Sequence, residues 1–173
     1  MQQFKKVKKI IVSIAVVIAF ANCNNHTTTK KERLGEPDIY SVTDQDSEMN
    51  DAIKTAKETL NKFNDALKSG NTNYTDFCLK VRFKAPNGWE HIWLSDIKIK
   101  DNKYIGVISD LPDSTTEVNL GDTIQIINEH ITDWMYTDNK KLRGGNTIRL
   151  LRKRMTETER KQFDTNNNLI IEE

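Results

Sequence analysis

The residues best suited to chemistry form a dense cluster late in the chain, Asp133-Trp134-Met135-Tyr136. Two aromatic rings beside a carboxylate are a combination that holds cationic or sugar-like ligands. We therefore take Asp133, Trp134 and Tyr136 as candidate binding residues. The structural alternative is that Trp134 and Met135 plug the end of a sheet while Asp133 caps a local turn. Both interpretations stay open at this point.

A second candidate group lies in the run Glu90-His91-Ile92-Trp93-Leu94. Side chains alternate between the two faces of a strand, so His91 and Trp93 share one face and Ile92 and Leu94 the other. We expect the aliphatic pair to face the core. His91 and Trp93 would then form a polar and aromatic surface able to receive a ligand, and Glu90, which shares the parity of Ile92 and Leu94, is a further candidate binding residue. Alternatively, Trp93 covers the sheet and His91 is a hydrogen-bonded surface residue.

No motif identifies an enzyme. A hydrolase that uses His91 and Asp133 is an alternative, but no spacing signature supports it, and there is no phosphate-binding glycine motif. Cys78 lies on the same side of its strand as Lys80 and Arg82, which would favour its thiolate, although a surface thiol next to basic residues is usually inert. Three histidines without chelating spacing predict no metal site, and we expect no cofactor.

The first residues have the composition of a secretory signal. Residues 1–22 begin with a basic segment, and residues 10–21 are apolar apart from Ser13, which is too short a run to cross a bilayer. Phe20-Ala21-Asn22-Cys23 resembles a bacterial lipobox, in which the cysteine receives a lipid. We expect Cys23 to be lipidated and residues 23–46 to be a flexible tether, with a membrane as partner through the lipid anchor. The predicted location is the cell envelope.

Charge argues against one class of partner. Of 26 Lys and Arg residues, four lie in the leader, which has no acidic residue, so 22 basic residues face 25 acidic ones after it. A net charge near −3 gives little attraction to phosphate backbones, and we expect no nucleic acid as a partner.

If Cys23 carries lipid, Cys78 has no disulfide partner.

Hydrophobic periodicity predicts an α+β domain over residues 47–165, followed by a tail over 166–173. Apolar residues at three- and four-residue spacing predict one N-terminal helix from Ser47 to Gly70, capped by Ser47 or Asp46. Residues 129–136 are interpreted as containing a short helical turn and 137–145 as a loop. Thr156 to Glu159 reads as a capping box that opens a short C-terminal helix to about Phe163. The predicted strands, about five and largely antiparallel, cover 77–83, 89–99, 103–109, 123–128 and 147–152.

Five motifs occur in order along the chain, over residues 49–53, 77–81, 90–94, 121–123 and 131–136, with Gly144, Gly145 and Thr147 after them. Together they resemble the YegJ-like family of bacterial proteins, the domain of unknown function 2314. The resemblance covers residues 48–155 and implies a small α+β domain that is often exported, with no established activity, cofactor or catalytic residue.

These observations favour a non-enzymatic module that binds a ligand or a protein at the cell envelope. The envelope hydrolase described above is one alternative. The other is an immunity-type inhibitor that binds a toxin, which the small size and the acidic surface allow.

Overall fold

The computed structural model describes residues 29–31, 39–41 and 46–172. The predicted signal segment, Cys23 and most of the predicted tether lie outside the described residues. Two short strands, β1 (Thr29–Lys31) and β2 (Ile39–Ser41), pair antiparallel with each other. Within the described ranges no helix has the length and apolar character needed to cross a membrane.

The main domain consists of four helices and a six-stranded sheet. Its helices are α1 (Ser47–Glu58), α2 (Leu60–Lys68), α3 (Asn146–Arg154) and α4 (Glu157–Asn167). Its strands are β3 (Tyr74–Ala85), β4 (Gly88–Lys100), β5 (Lys103–Ile108), β6 (Thr123–Ile126), β7 (Ile131–Asp138) and β8 (Lys141–Gly144).

The sheet has the strand order β6-β5-β4-β3-β7-β8, and every neighbouring pair is antiparallel. The predicted α+β class, with an N-terminal helix on a largely antiparallel sheet and a short C-terminal helix, is confirmed. The central pair β3–β4 places Val81 opposite Ile92 and Arg82 opposite His91. This register puts the aliphatic residues of both strands on one face and their polar and aromatic residues on the other.

The hydrophobic core fills the space between helices α1 and α2 and the aliphatic face of the sheet. Phe63 is fully buried, and its ring meets the edges or tilted faces of Phe77, Tyr104 and Trp134 at centroid distances of 5.6, 6.4 and 6.0 Å. Burying a phenylalanine side chain contributes about 2–3 kcal/mol. The other fully buried core residues on this face include Leu79, Ile92, Leu94, Ile108 and Ile131.

The predicted single N-terminal helix is in fact two helices that meet at Thr59. Asp46 caps the first as expected, since its carboxylate accepts the N–H of Met49 at 3.0 Å. At Thr59 the backbone leaves the helical region, with φ −107° and ψ 10°. The Thr59 hydroxyl donates to the carbonyl of Thr55 at 2.7 Å, a side-chain bond that competes with the helical ladder.

The prediction of a fifth strand over 147–152 is wrong, because these residues lie in helix α3. Its apolar, β-branched start resembles a strand, but Gly144 and Gly145 have φ angles of +71° and +65° and end β8. The carboxylate of Asp133, brought from β7, then accepts the N–H groups of Asn146 and Thr147. A tertiary cap therefore starts a helix where the local sequence favours a strand.

The loop predicted over 137–145 is wrong, because a β-hairpin occupies it, and the short helical turn expected within 129–136 covers only the first two of those residues. Only Asn128–His130 form a short 3₁₀ turn, and strand β7 starts at Ile131. Asn139 and Lys140, at φ +49° and +66°, make the two-residue turn into β8. Two left-handed residues in succession match the twist of a tight hairpin.

The predicted capping box at the C-terminal helix is confirmed. The N–H of Glu159 bonds to the Thr156 hydroxyl, and the Glu159 carboxylate accepts the N–H of Thr156. Helix α4 extends to Asn167, beyond the predicted end. The chain then returns to the sheet, where Ile170 accepts the N–H of Leu142 and donates to the carbonyl of Lys140, both at 2.9 Å.

Candidate functional site

The sequence-predicted residues lie on opposite faces of the sheet and do not form one cleft. His91 and Trp93 lie on the face away from helices α1 and α2, because they pair with Arg82 and Lys80 of β3. Trp134 pairs with the core residue Leu79, so it faces those helices. The alternation of side chains along β7 separates the two groups.

His91 and Trp93 belong to a face on which the cations of β3 contact the aromatic rings of β4. The ammonium of Lys80 lies 5.3 Å from the centre of the Trp93 ring, and the guanidinium of Arg82 lies 4.5 Å from that of Trp89. His91 is exposed, and its Nδ1 lies 3.0 Å from the hydroxyl of Thr132. This face combines flat rings with positive charge.

The pKa of His91 is lowered from 6.5 to about 4, first because neighbouring groups partly desolvate the ring and then because the charges of Lys80, Arg82 and Lys57 act on it. The imidazole is therefore neutral at pH 7. Burial also lowers the pKa of Lys80, an effect that the carboxylates of Asp133 and Asp110 partly offset. His91 thus provides a neutral donor or acceptor within a basic environment.

Glu90 organises a loop. Its carboxylate accepts the backbone N–H groups of Asp113, Ser114 and Thr115 at 2.7, 2.9 and 2.7 Å. Burial raises the pKa of Glu90, but these bonds, with one from the Ser114 hydroxyl, outweigh it and leave the pKa below its usual value. Glu90 fixes the segment between β5 and β6 against the start of β4.

Asp133 is fully buried and is the tertiary cap of α3. Its Oδ2 accepts the N–H and the hydroxyl of Thr147 at 2.8 and 2.7 Å, and its Oδ1 accepts the N–H groups of Asn146 and Trp134 at 3.1 and 2.9 Å. Among the described hydrogen bonds none joins Asp133 to His91. The pair that a hydrolase would need is not assembled in this arrangement.

Trp134 and Tyr136 line a pocket of about 350 Å³ between helices α1 and α2, the β7–β8 hairpin and the start of α3. Their rings are nearly parallel, with centroids 6.2 Å apart and an interplanar angle of 16°. The indole N–H donates to the carbonyl of Ala56 at 3.0 Å, which fixes the Trp134 ring. The complete lining is Thr55, Thr59, Lys62, Trp134, Tyr136, Arg143, Gly144, Asn146 and Arg149.

Gly144 allows this pocket to form. A Cβ atom at position 144 would overlap the carbonyl oxygen of Trp134 and the edge of its ring. The positive φ of Gly144 is also unfavourable for any residue with a side chain. Glycine here lets the backbone pass directly beside the indole.

All three charged residues in the lining are cations: Lys62, Arg143 and Arg149. Arg149 donates to the carbonyls of Gly144 and Leu142 at 2.9 and 2.7 Å, so its guanidinium is fixed in place. Desolvation lowers the pKa of Arg149, and the neighbouring charge of Arg143 lowers it further. The carboxylates of Asp133 and Glu172 raise this pKa and so offset part of the effect. The pocket therefore concentrates positive charge that an anion would relieve.

The rim contains acidic groups, and they contact Arg143. Asp138 forms an ion pair with Arg143 at 2.9 Å, and a carboxylate oxygen of Glu172 lies 3.8 Å from the same guanidinium. Lys62 differs, because its ammonium has no hydrogen bond or ion pair with any residue in 46–172. It is the cation most available to a ligand.

Sequence reasoning identified Trp134 and Tyr136 but missed the cations around them. Thr55, Thr59 and Lys62 recur at helical spacing beside the apolar stripe, a signal that was present in the sequence. Arg143 and Arg149 gave no such signal, because their segments were interpreted as a loop and a strand. Their position depends on the hairpin and on helix α3.

The basic neighbours of Cys78 do not favour its thiolate. Burial raises the pKa of its thiol to about 12, with further increases from the carboxylates of Asp76, Asp110 and Asp96. A thiol with this pKa is protonated at neutral pH and is a poor nucleophile. Across the part of the chain that the structure describes, no three His, Cys, Asp or Glu side chains are grouped to hold a metal.

Comparison with known proteins gives a family and no activity. A protein "Uncharacterized protein YegJ" from Escherichia coli is 37% identical over 100 residues, which cover 58% of this chain and 64% of that protein. A "putative ankyrin repeat protein" of Neisseria meningitidis serogroup B is 34% identical over 140 residues, which cover 76% of this chain and 55% of that protein. The chain thus spans less than two thirds of either relative.

No solved structure matches the chain significantly. The family model described as "Uncharacterized protein conserved in bacteria (DUF2314)" matches residues 46–169, which include all four helices and the whole six-stranded sheet. The confirmed resemblance therefore concerns the entire folded domain, and the chain belongs to the DUF2314 family of bacterial proteins.

Proposed function

We propose that this chain is a binding module, tethered at the cell envelope, whose pocket takes a small anionic ligand. The observation that carries the proposal is the lining of the pocket, where three cations surround two stacked aromatic rings and no carboxylate takes part. Its volume lies in the range of small-molecule sites. The ligand class is a carboxylate or a phosphate ester with a flat or apolar part.

This ligand class differs from the cationic or sugar-like one that the sequence favoured. That expectation assumed that Asp133 would face the ligand together with Trp134 and Tyr136. Asp133 instead points to α3, and cations take its place beside the rings. The sign of the charge in the pocket is therefore opposite to the predicted one.

The floor and the walls have different roles in this proposal. Trp134 is fixed by its bond to Ala56, and Arg149 is fixed by two carbonyls, so both are preorganised. Preorganised groups bind with less loss of conformational entropy. Lys62 is exposed and mobile enough in its side chain to close over an anion from the helix side.

The test is a titration with citrate and with inorganic phosphate, followed by the fluorescence of Trp134 in a Trp89→Phe/Trp93→Phe background. Lys62→Gln should weaken anion binding about fivefold, since one charge at short range in a wet site contributes about 1 kcal/mol. Lys68→Gln removes an exposed cation from the same helix outside the pocket and should leave affinity unchanged. Glucose and choline serve as neutral and cationic controls.

Failure of both anions to bind below about 1 mM would contradict the proposed ligand class. Equal effects of Lys62→Gln and Lys68→Gln would contradict the assigned pocket. Higher salt should weaken binding, because the attraction is electrostatic.

A further inference from the structure

The sheet face opposite helices α1 and α2 carries cations without acidic partners. The guanidinium of Arg82 makes no hydrogen bond or ion pair with residues 46–172, and its Nε is buried without an acceptor. Its contact is the face of the Trp89 ring, at 4.5 Å. Lys84, two positions along β3, is exposed, and its ammonium has no ion pair in the described domain.

Several carboxylates around this face accept backbone N–H groups, among them Asp110, which accepts the N–H of Trp93 at 3.3 Å. Glu90 accepts three N–H groups of its loop. Glu117 accepts the N–H of Lys84 at 2.8 Å, and Asp133 caps helix α3. Within residues 46–172, neither Arg82 nor Lys84 forms an ion pair with a carboxylate, so both charges remain available to a ligand.

The rings beside these cations are accessible. Trp89 is 40% exposed and meets His130 edge-on at 5.5 Å. His91, opposite Arg82 in the sheet, is exposed and neutral. Tryptophan and arginine dominate the energetics of protein interfaces, where a desolvated ring supports a charged group.

We propose that the patch formed by Arg82, Lys84, Trp89 and His91 docks an extended, acidic segment of a partner protein. Residues two apart on a strand are about 6.7 Å from each other, and this spacing separates Arg82 from Lys84. In an extended peptide, side chains at alternate positions have the same spacing. Two carboxylates at alternate positions therefore match the two cations, while the intervening side chains face away.

Lys80 is outside the patch. Its ammonium lies over Trp93 and donates to the hydroxyl of Thr147 at 3.4 Å, beneath the start of α3. The patch and the anion pocket lie on opposite faces of the sheet and share no residue. Either proposal can therefore fail without the other.

The test uses the full chain and a short fluorescein-labelled peptide in which Glu and Thr alternate, with binding measured by fluorescence anisotropy. Arg82→Gln should weaken binding at least about tenfold, as expected for a central arginine. Lys84→Gln should weaken it about threefold. Lys98→Gln, an exposed cation at the far end of the same face, should have no effect.

Arg82→Lys should restore only part of the affinity, because lysine keeps the charge and loses the two-pronged geometry for a carboxylate. A peptide of equal composition with its glutamates in one block should bind more weakly than the alternating peptide. Equal binding of the two peptides, or an unchanged affinity in Arg82→Gln, would overturn the proposal. So would tighter binding of oligothymidylate or polyphosphate through Arg82, which would assign the patch to a polyanion.

Discussion

At neutral pH the imidazole of His91 is uncharged although the side chain is exposed, because it is partly desolvated and three cations act on it. Unfolding removes these effects and returns its pKa to about 6.5. The unfolded chain then binds a proton that the folded chain does not bind. The contribution of His91 to stability is present above pH 6.5 and is lost as the pH falls to about 4.

We therefore predict that His91→Gln flattens the loss of stability between these two pH values. The effect should be about 1 kcal/mol or less, because the exposed ring is screened by solvent. Urea unfolding of wild type and variant across this window measures it. NMR titration of the His91 ring gives the direct check, and a midpoint near 6.5 in the folded protein would contradict the explanation.

Among helices and strands, the start of α3 depends on a single carboxylate from another element. Asp133 accepts four hydrogen bonds from the backbone and hydroxyl groups of Trp134, Asn146 and Thr147. We predict that Asp133→Asn destabilises the protein by about 2–4 kcal/mol, since the amide presents a donor where the N–H of Thr147 needs an acceptor.

Chemical denaturation of Asp133→Asn measures this loss, with Asp65→Asn as a control at an exposed position of α2. Since Asp133 positions both α3 and the neighbouring Trp134, the variant should also weaken the pocket's response to citrate. A stability equal to that of the control would show that α3 starts without this cap.

The strand and helix boundaries show what local sequence can and cannot specify. The tripeptide Asp-Asn-Lys occurs twice, at 101–103 and 138–140, and both copies form hairpin turns. The first was predicted because clear strand patterns flank it. In the second, β7 lacks clean alternation, because the buried polar residue Thr132 is the extra residue of a bulge and is followed by the buried Asp133. The hairpin was missed because β7 lacks this alternation. Helix α3 was missed because Asp133, which caps it, acts through tertiary contacts.

The candidate sites follow the same division. The placement of Ile92 and Leu94 in the core, with His91 and Trp93 opposite, could be predicted from period-two alternation. It could not be predicted that Trp134 and Lys62 line one pocket, because this depends on how β7 packs against helices α1 and α2, which are distant from it in sequence.

For the whole molecule, the distribution of surfaces is the main functional feature. Helices α1 and α2 cover one face of the sheet and contribute a wall of the anion pocket, while the other face presents Arg82 and Trp89 outward. The two proposals together predict that the domain binds a small ligand and a protein at once. Attachment to a membrane would keep both surfaces in the envelope.

The attachment itself is testable. We predict that a clickable fatty-acid analogue labels the wild-type chain in growing bacteria, because Cys23 follows an apolar segment of lipobox type. Cys23→Ala should lose the label, and Cys78→Ala should keep it, since the thiol of Cys78 is partly buried and protonated. Equal labelling of wild type and Cys23→Ala would contradict lipidation at this position.

The two edge strands of the sheet, β8 and β6, differ in how far their outer backbone groups are paired, because Ile170 returns to the side of β8. Ile170 satisfies backbone groups of Lys140 and Leu142 that would otherwise be open to another chain. At the opposite border, the outer side of β6 pairs with no described strand. Exposed strand edges are where identical molecules join by backbone hydrogen bonds. Self-association by strand pairing would therefore proceed through residues 123–126, and the border formed by β8 is protected against it.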